Sequence, residues 1–194
     1  QDYVRFRPSY PAEVVSLIAD ETGVQPPAQV ADIGAGTGIS SALFLAAGYD
    51  VWAIEPNDAM RQAAEVHCGE SLRFHSVCGT AAQTTLPNAS MDLVVVAQAF
   101  HWFDVDRSRE EFQRILRPPG WVALIWNSRR LDSTPFLRDY EQMLLDYGTD
   151  YAAVRHENVN VEVLTRFYDS GYRQHRLDQV QQLAGRKESA RAEG

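Results

Sequence analysis

Short apolar runs alternate with amphipathic stretches along most of the chain. Pro11, at a first helical turn, opens a helix of about a dozen residues, with Val14, Val15, Leu17 and Ile18 on its buried side. Gly23 and the Pro26-Pro27 pair close it. Val30-Ala31-Asp32-Ile33 reads as a short buried strand that runs directly into Gly34-Ala35-Gly36-Thr37-Gly38. A helix from Ile39 to Ala47 follows, closed by Gly48. The unit then recurs: Asp50 to Ile54 is a second strand, and Pro56-Asn57-Asp58 starts a helix through His67, with Asn57 or Asp58 as its N-cap. Leu72 to Cys78 alternates as a third strand. Asp92 to Ala97 is apolar on both faces, the signature of a parallel strand covered on both sides. The pattern next predicts a helix over Asp104 to Leu116, a turn at Pro118-Pro119-Gly120 and a fifth strand, Trp121 to Trp126. Beyond it come helices over Thr134 to Tyr147 and Val161 to Asp169, and a sixth strand over Tyr172 to Val180. Strand–helix alternation with short turns predicts an α/β fold: a doubly wound, mostly parallel Rossmann-like sheet with helices on both faces.

The length of 194 residues fits one domain with a sizeable core. Eighteen Lys and Arg stand against 26 Asp and Glu, a net charge of −8. That balance argues against nucleic acid or an anionic membrane surface as partner. No apolar run approaches bilayer length, and residues 1–7 hold no signal-like apolar region. Cys68 and Cys78 make neither a disulfide framework nor a CxxC pair. The expected setting is a reducing cytoplasm. His67, His75, His156 and His175 lack ligand spacing with Cys or one another, so no metal is expected.

The chemistry sits after the first strand. In an open parallel sheet, ligands bind beyond the C-terminal strand ends. Three glycines in five residues, Gly34, Gly36 and Gly38, suit a tight turn and a close ligand approach. Glu55 ends the second strand about 20 residues on, where an acid accepts hydrogen bonds from ribose hydroxyls. Together they predict a nucleoside-type cofactor. The spacing is G-x-G-x-G, whereas the dinucleotide fingerprint is G-x-G-x-x-G, and Asp32 stands two residues before the first glycine. A carboxylate there repels a pyrophosphate and suits a cation. A sulfonium nucleoside that carries an amino acid satisfies the glycines and both acids.

Ala31 to Gly38 resembles the first motif of the class I S-adenosylmethionine-dependent methyltransferases, and Ile54-Glu55-Pro56-Asn57 resembles their second. Gly79-Thr80-Ala81 with Leu86 to Asp92 is similar to the adenine loop and the entry to strand four. Ile115 to Trp121 resembles the L-x-P-G-G turn before strand five, with Pro119 in place of the first glycine. Arg7-Pro8-Ser9-Tyr10-Pro11 and Gln98-Ala99-Phe100-His101-Trp102-Phe103 resemble segments of the type-11 small-molecule enzymes, related to trans-aconitate methyltransferases. The resemblance covers residues 3–127 well. It implies S-adenosyl-L-methionine as cofactor, held by Asp32, Gly34, Ala35, Gly36, Thr37, Gly38, Glu55, Pro56, Met60, Thr80, Ala81 and Gln98. Met60 falls where the family packs a side chain on adenine. Ala82 stands where the subgroup has a glutamate. No counterpart of the family's last, antiparallel strand is found, so the C-terminal cover is expected to be incomplete in this chain.

The expected layout is one methyltransferase domain over residues 1–194. Residues 30–127 form its cofactor core, 1–29 an N-terminal cover, and 128–194 an acceptor-side cap and sheet edge. The expected partner is a small-molecule acceptor, carboxylate or hydroxyl, with Tyr3, Arg7, Tyr10 and Trp102 as substrate-side candidates. His101 is the catalytic candidate, a general base if the acceptor is a hydroxyl or amine; the other reading is a structural histidine on a helical turn. Arg129-Arg130 is a further anion candidate. Two rival functions stand beside methyl transfer: an NAD(P)-dependent oxidoreductase, against which the glycine spacing and Asp32 count, and a non-catalytic cofactor-binding protein.

Overall fold

The computed structural model describes residues 10–128, 131, 133–149, 159–169 and 171–178. Five strands, β1 (Gln29–Ile33), β2 (Asp50–Ile54), β3 (Phe74–Val77), β4 (Met91–Ala97) and β5 (Leu116–Ile125), form one sheet in the order β3-β2-β1-β4-β5. All four pairings are parallel. The order reverses between β1 and β4, and that switch point is where an open α/β sheet leaves a crevice for a ligand.

β4 shows why the sheet is covered on both sides. Val94 and Val96 point into one core with Ala31, Ile33 and Ile54, whereas Leu93 and Val95 point into the other with Val30 and Val51. Helix α1 (Glu13–Thr22) and helix α2 (Ile39–Ala46) close the second core through Val15 and Phe44. On the first core, helix α4 (Val105–Ile115) contributes Phe112 and Ile115, and helix α6 (Val161–Tyr168) contributes Phe167. The Phe167 ring sits edge-on to Phe100 at 4.9 Å and to Phe112 at 6.0 Å. Burying each such side chain stabilises the fold by roughly 1.5–3 kcal/mol. Helix α3 (Asp58–Cys68) leans its Ala64 and Cys68 on Gly38, and helix α5 (Pro135–Tyr147) follows β5.

Helix starts follow the capping residues. Asn57, Asp104, Thr134 and Asn160 each accept a hydrogen bond from the backbone N–H three residues on, worth about 1 kcal/mol apiece. Of the two cap candidates before α3, Asn57 is the one used.

Three sequence expectations are corrected. Pro118-Pro119-Gly120 lies inside β5, where the sequence suggested a turn before the strand. Met91 pairs with Leu116, the register shifts, and pairing resumes with Leu93 opposite Trp121. Among the described residues β5 is an edge strand, and the prolines fall at its register shift, where a missing N–H does no harm; Gly120 supplies the positive φ of 67°. No sixth strand forms over residues 172–178, which carry no regular structure. Tyr172-Arg173-Gln174-His175-Arg176-Leu177 has no apolar alternation for a sheet face. Arg173 and His175 reach Glu21 of α1, and Tyr172 leans on Tyr168. Residues 179–180 lie outside the described residues. The first helix also begins at Glu13, two residues after Pro11.

Candidate functional site

The turn after β1 is built from the backbone of β2. The N–H groups of Gly34 and Ala35 both donate to the carbonyl of Ile54, at 2.8 and 3.2 Å. Glu55, 7% exposed, then staples the loop: Oε2 accepts from the Gly36 N–H at 3.0 Å and Oε1 from the Asn57 N–H at 2.9 Å. Each carboxylate oxygen keeps a lone pair for a further donor.

The three glycines have different reasons. A Cβ on Gly34 would stand 2.7 Å from Cβ of Ala99, and one on Gly38 would stand 3.1 Å from Sγ of Cys68 and 3.2 Å from Cβ of Ala64. Those two let neighbouring chain segments close in. Gly36 has a φ of 57° and nothing within 4 Å of its missing Cβ. Its side of the loop is open for a ligand.

Asp32 lies beneath this loop and is fully buried. Ser40 Oγ and Ser41 Oγ, in the first turn of α2, both donate to its Oδ2, at 2.7 and 2.6 Å. Among the described residues, Oδ1 is buried with no hydrogen-bond partner. Burial pushes the carboxyl up to about 6; the serine hydroxyls oppose that rise, and the like charge of Glu55 adds to it.

Beside the glycine loop, a cavity of about 270 Å³ is formed by Gly34, Pro56, the Gly79–Ala82 loop, the Trp102–Asp104 turn and Ser108. It approaches the roughly 300–1,000 Å³ range of small-ligand sites. A larger hollow of about 360 Å³ lies between α1 and α2 beside Pro26 and Tyr49, remote from the functional motifs. The Gly79–Ala82 loop is a tight turn in which Thr80 and Gln83 exchange backbone hydrogen bonds at 3.0 and 3.1 Å. It is braced from α4. Glu111 Oε1 accepts from the Thr84 N–H at 2.7 Å and Oγ1 at 2.5 Å, while Arg114 grips both oxygens of Glu111 and reaches Asn88. The Arg114 guanidinium, against the cost of burial and with help from Thr84, holds the Glu111 carboxyl down at about 2.

The structure brings Gly34, Pro56, Thr80, Ala81 and Trp102 to the cavity, with Gly36 and Glu55 on the adjoining loop. Trp102 is 65% exposed at its rim. Ala35 and Thr37 are buried within the loop, and the Thr37 carbonyl meets Nδ1 of His67 at 3.2 Å. Met60 is half-buried in the first turn of α3, outside the lining of this cavity. Gln98, with φ 59°, ties β4 to β5: its N–H donates to Ile125 at 2.9 Å and its Nε2 to the Asn127 carbonyl at 3.4 Å. His101 sits on the 3-10 turn Phe100–Trp102, its ring 5.0 Å from that of Trp102. Tyr10 is half-buried just before α1. Tyr3, Arg7, Arg129 and Arg130 lie outside the described residues. Sequence reasoning missed Ser108, whose position one turn into α4 after the Asp104 cap was the available signal. It also missed the Ser40-Ser41 pair.

The residues present fit a cationic nucleoside. The open side of Gly36 admits a ligand's backbone, Glu55 has lone pairs to spare, and Oδ1 of Asp32 lacks a donor. A family model described as a methyltransferase domain matches residues 31–124, from the strand that carries Asp32 to β5. Residues 31–124, just under half of the chain, are thus similar to a methyltransferase domain. An uncharacterized methyltransferase of Mycobacterium tuberculosis is 36% identical over 127 residues, 66% of this chain and 49% of that protein. A crystal structure of a candidate methyltransferase from an antibiotic biosynthesis pathway of Anabaena variabilis matches with a TM-score of 0.62 at 31% identity, covering 81% of this chain and 61% of that one. A candidate S-adenosylmethionine-dependent methyltransferase of Methanococcus maripaludis, at 22% identity and a TM-score of 0.60, shares the fold; the match covers 81% of this chain and 73% of that one. The chain spans about half the length of the mycobacterial relatives it matches. The cofactor that this similarity supports is S-adenosyl-L-methionine. Among the described residues, no helix is long and apolar enough to cross a membrane.

Proposed function

We propose that this chain transfers the methyl group of S-adenosylmethionine to a small-molecule acceptor, a carboxylate or a hydroxyl. The observation that carries this reading is the cavity at the strand ends, joined to a glycine loop whose Gly36 is open and whose Glu55 is already held in place. The bound sulfonium supplies an activated methyl group with a good leaving group. The protein's task is then alignment and exclusion of water, and alignment alone is worth roughly 7–11 kcal/mol. In this reading Glu55 receives the ribose hydroxyls. Pro56, Thr80 and Ala81 bound the base, and Asp32 answers the ammonium from below. Trp102, at the rim, offers an aromatic face to a cation. His101, one residue before it, takes the proton from a hydroxyl acceptor; a carboxylate acceptor needs no base. Tyr3, Arg7 and Tyr10 are proposed to close the acceptor side. The net charge of −8 supports a small molecule over nucleic acid. The type-11, trans-aconitate-like subgroup is proposed on the Gln98 to Phe103 and Arg7 to Pro11 segments. A screen of small carboxylic acids and alcohols that reads S-adenosylhomocysteine formation tests the proposal. Acceptor-dependent turnover is expected. Tight cofactor binding with no turnover on any acceptor class would favour a binding protein.

A further inference from the structure

The Asp32 carboxylate is held in an unusual way for a buried acid. Among the described residues it has no cation beside it to offset the cost of burial. Its stabilisation comes chiefly from two hydroxyls on successive residues, Ser41 and Ser40, both aimed at the same oxygen, with a smaller contribution from the Ser41 backbone N–H. Both serines are themselves buried, 4% and 0% exposed, in the first turn of α2. The charged group acting on Asp32 from the residue after β2 is Glu55, a like charge. From α3 the neighbour is Cys68, whose thiol is raised by its own burial and by the Asp32 charge. Successive helical residues rarely aim side chains at one atom, because they are about 100° apart around the axis. In the first turn of α2 both hydroxyls nonetheless reach Oδ2. The second oxygen, Oδ1, is left with no hydrogen-bond partner. Leaving a buried charged acceptor unmet is costly unless a donor arrives.

We propose that Ser40 and Ser41 are positioning residues for the cofactor site: their paired hydroxyls hold Oδ2 of Asp32, keep that carboxylate ionised while buried, and reserve Oδ1 for the ammonium group of the cofactor, met directly or through one water. The inference rests on the cofactor reading of the site and adds to it a pH dependence. Protonation of Asp32 removes the charge that meets the ammonium, so cofactor affinity falls as pH drops through the carboxyl's titration, up to tenfold per pH unit. Removing the serine donors disfavours the ionised form and moves that fall to higher pH.

The test is cofactor affinity by calorimetry between pH 5 and 8 for the wild type, Ser40→Ala/Ser41→Ala and Asp32→Asn. It is paired with a carbon-13 carboxyl titration of Asp32 in the cofactor-free protein. The expected result is a wild-type affinity that falls below about pH 6. That fall moves up by at least one pH unit in the double variant and is absent in Asp32→Asn. If the double variant does not fold, each single variant is expected to show part of the shift, and Ser40→Thr, which keeps a hydroxyl, to show little. A double-variant profile that superimposes on the wild type, while Asp32→Asn flattens it, overturns the serine role. If the wild type binds no S-adenosylmethionine at all, the cofactor reading fails. The carboxyl titration then still decides the serine clamp by whether Asp32 titrates higher without the two hydroxyls.

Discussion

Gly36→Ala separates a glycine kept for a ligand from one kept for packing. At Gly36 the new methyl would meet nothing within 4 Å, so the folded chain suffers only the positive φ of 57°. Placing a non-glycine residue in the left-handed region costs roughly 1–2 kcal/mol. For a chain of this size that lowers the melting temperature by about 2–8 °C. The ligand side is different. A cofactor that uses the open face of Gly36 loses the space of one methyl, and a one-carbon misfit in a pocket costs roughly 10–200-fold in affinity. Gly34→Ala is the contrast. Its methyl would stand 2.7 Å from Cβ of Ala99 at a φ of 71°. Overpacking and the left-handed φ together cost roughly 2–5 kcal/mol there. The assay pairs thermal melting of the cofactor-free variants with calorimetric titration of S-adenosylmethionine at pH 7.5. Gly36→Ala is expected to melt close to the wild type yet bind at least tenfold more weakly, with Gly34→Ala the less stable of the two. Wild-type affinity in a folded Gly36→Ala would refute the placement of the ligand against the loop.

Three further outcomes are expected. Glu55→Ala leaves the Gly36 and Asn57 N–H groups without their shared acceptor, so calorimetry should show at least a tenfold loss of cofactor affinity; unchanged affinity would remove Glu55 from the site. Glu111, whose carboxyl is held at about 2 in the folded chain against an ordinary 4.5, contributes stability that is fully present above pH 4.5 and lost as pH falls toward 2. The contribution is about 3 kcal/mol, and melting of Glu111→Gln against the wild type should show a gap at pH 7 that narrows below pH 4; a gap independent of pH would sink the ion-pair account. His101→Ala should slow transfer to hydroxyl acceptors and spare carboxylates, as read by S-adenosylhomocysteine release, and an equal effect on both would exclude it as base.

The sheet was legible because its signals are local. β4 is apolar on both faces, Asn57 and Asp104 cap helices, and the glycine loop follows β1 directly. Partners distant in sequence were not legible. Gly34 and Gly38 read as ligand glycines, yet each also fits a neighbour, Ala99 or Ala64 and Cys68, that only the fold brings near. Pro118-Pro119-Gly120 carried a turn signal, and the three residues fall at the register shift of β5, between the pairings of Leu116 and Trp121 with β4. Tyr172 to Asp178 looked extended but has no alternating face to pack, and its polar groups go to α1. At the site, Asp32 and Glu55 were identifiable by position in the motif. The Ser40-Ser41 clamp and the Glu111 brace were not, because serine at a helix start and Glu–Arg at i, i+3 are common for purely local reasons.

The glycine loop, Glu55 and the adjoining cavity are proposed to hold S-adenosylmethionine, and calorimetric titration of the purified chain with S-adenosylmethionine, S-adenosylhomocysteine and NAD(H) is the decisive test. One site that binds the first two in competition and does not bind NAD(H) is expected. Saturable NAD(H) binding without binding of either sulfur nucleoside would contradict it.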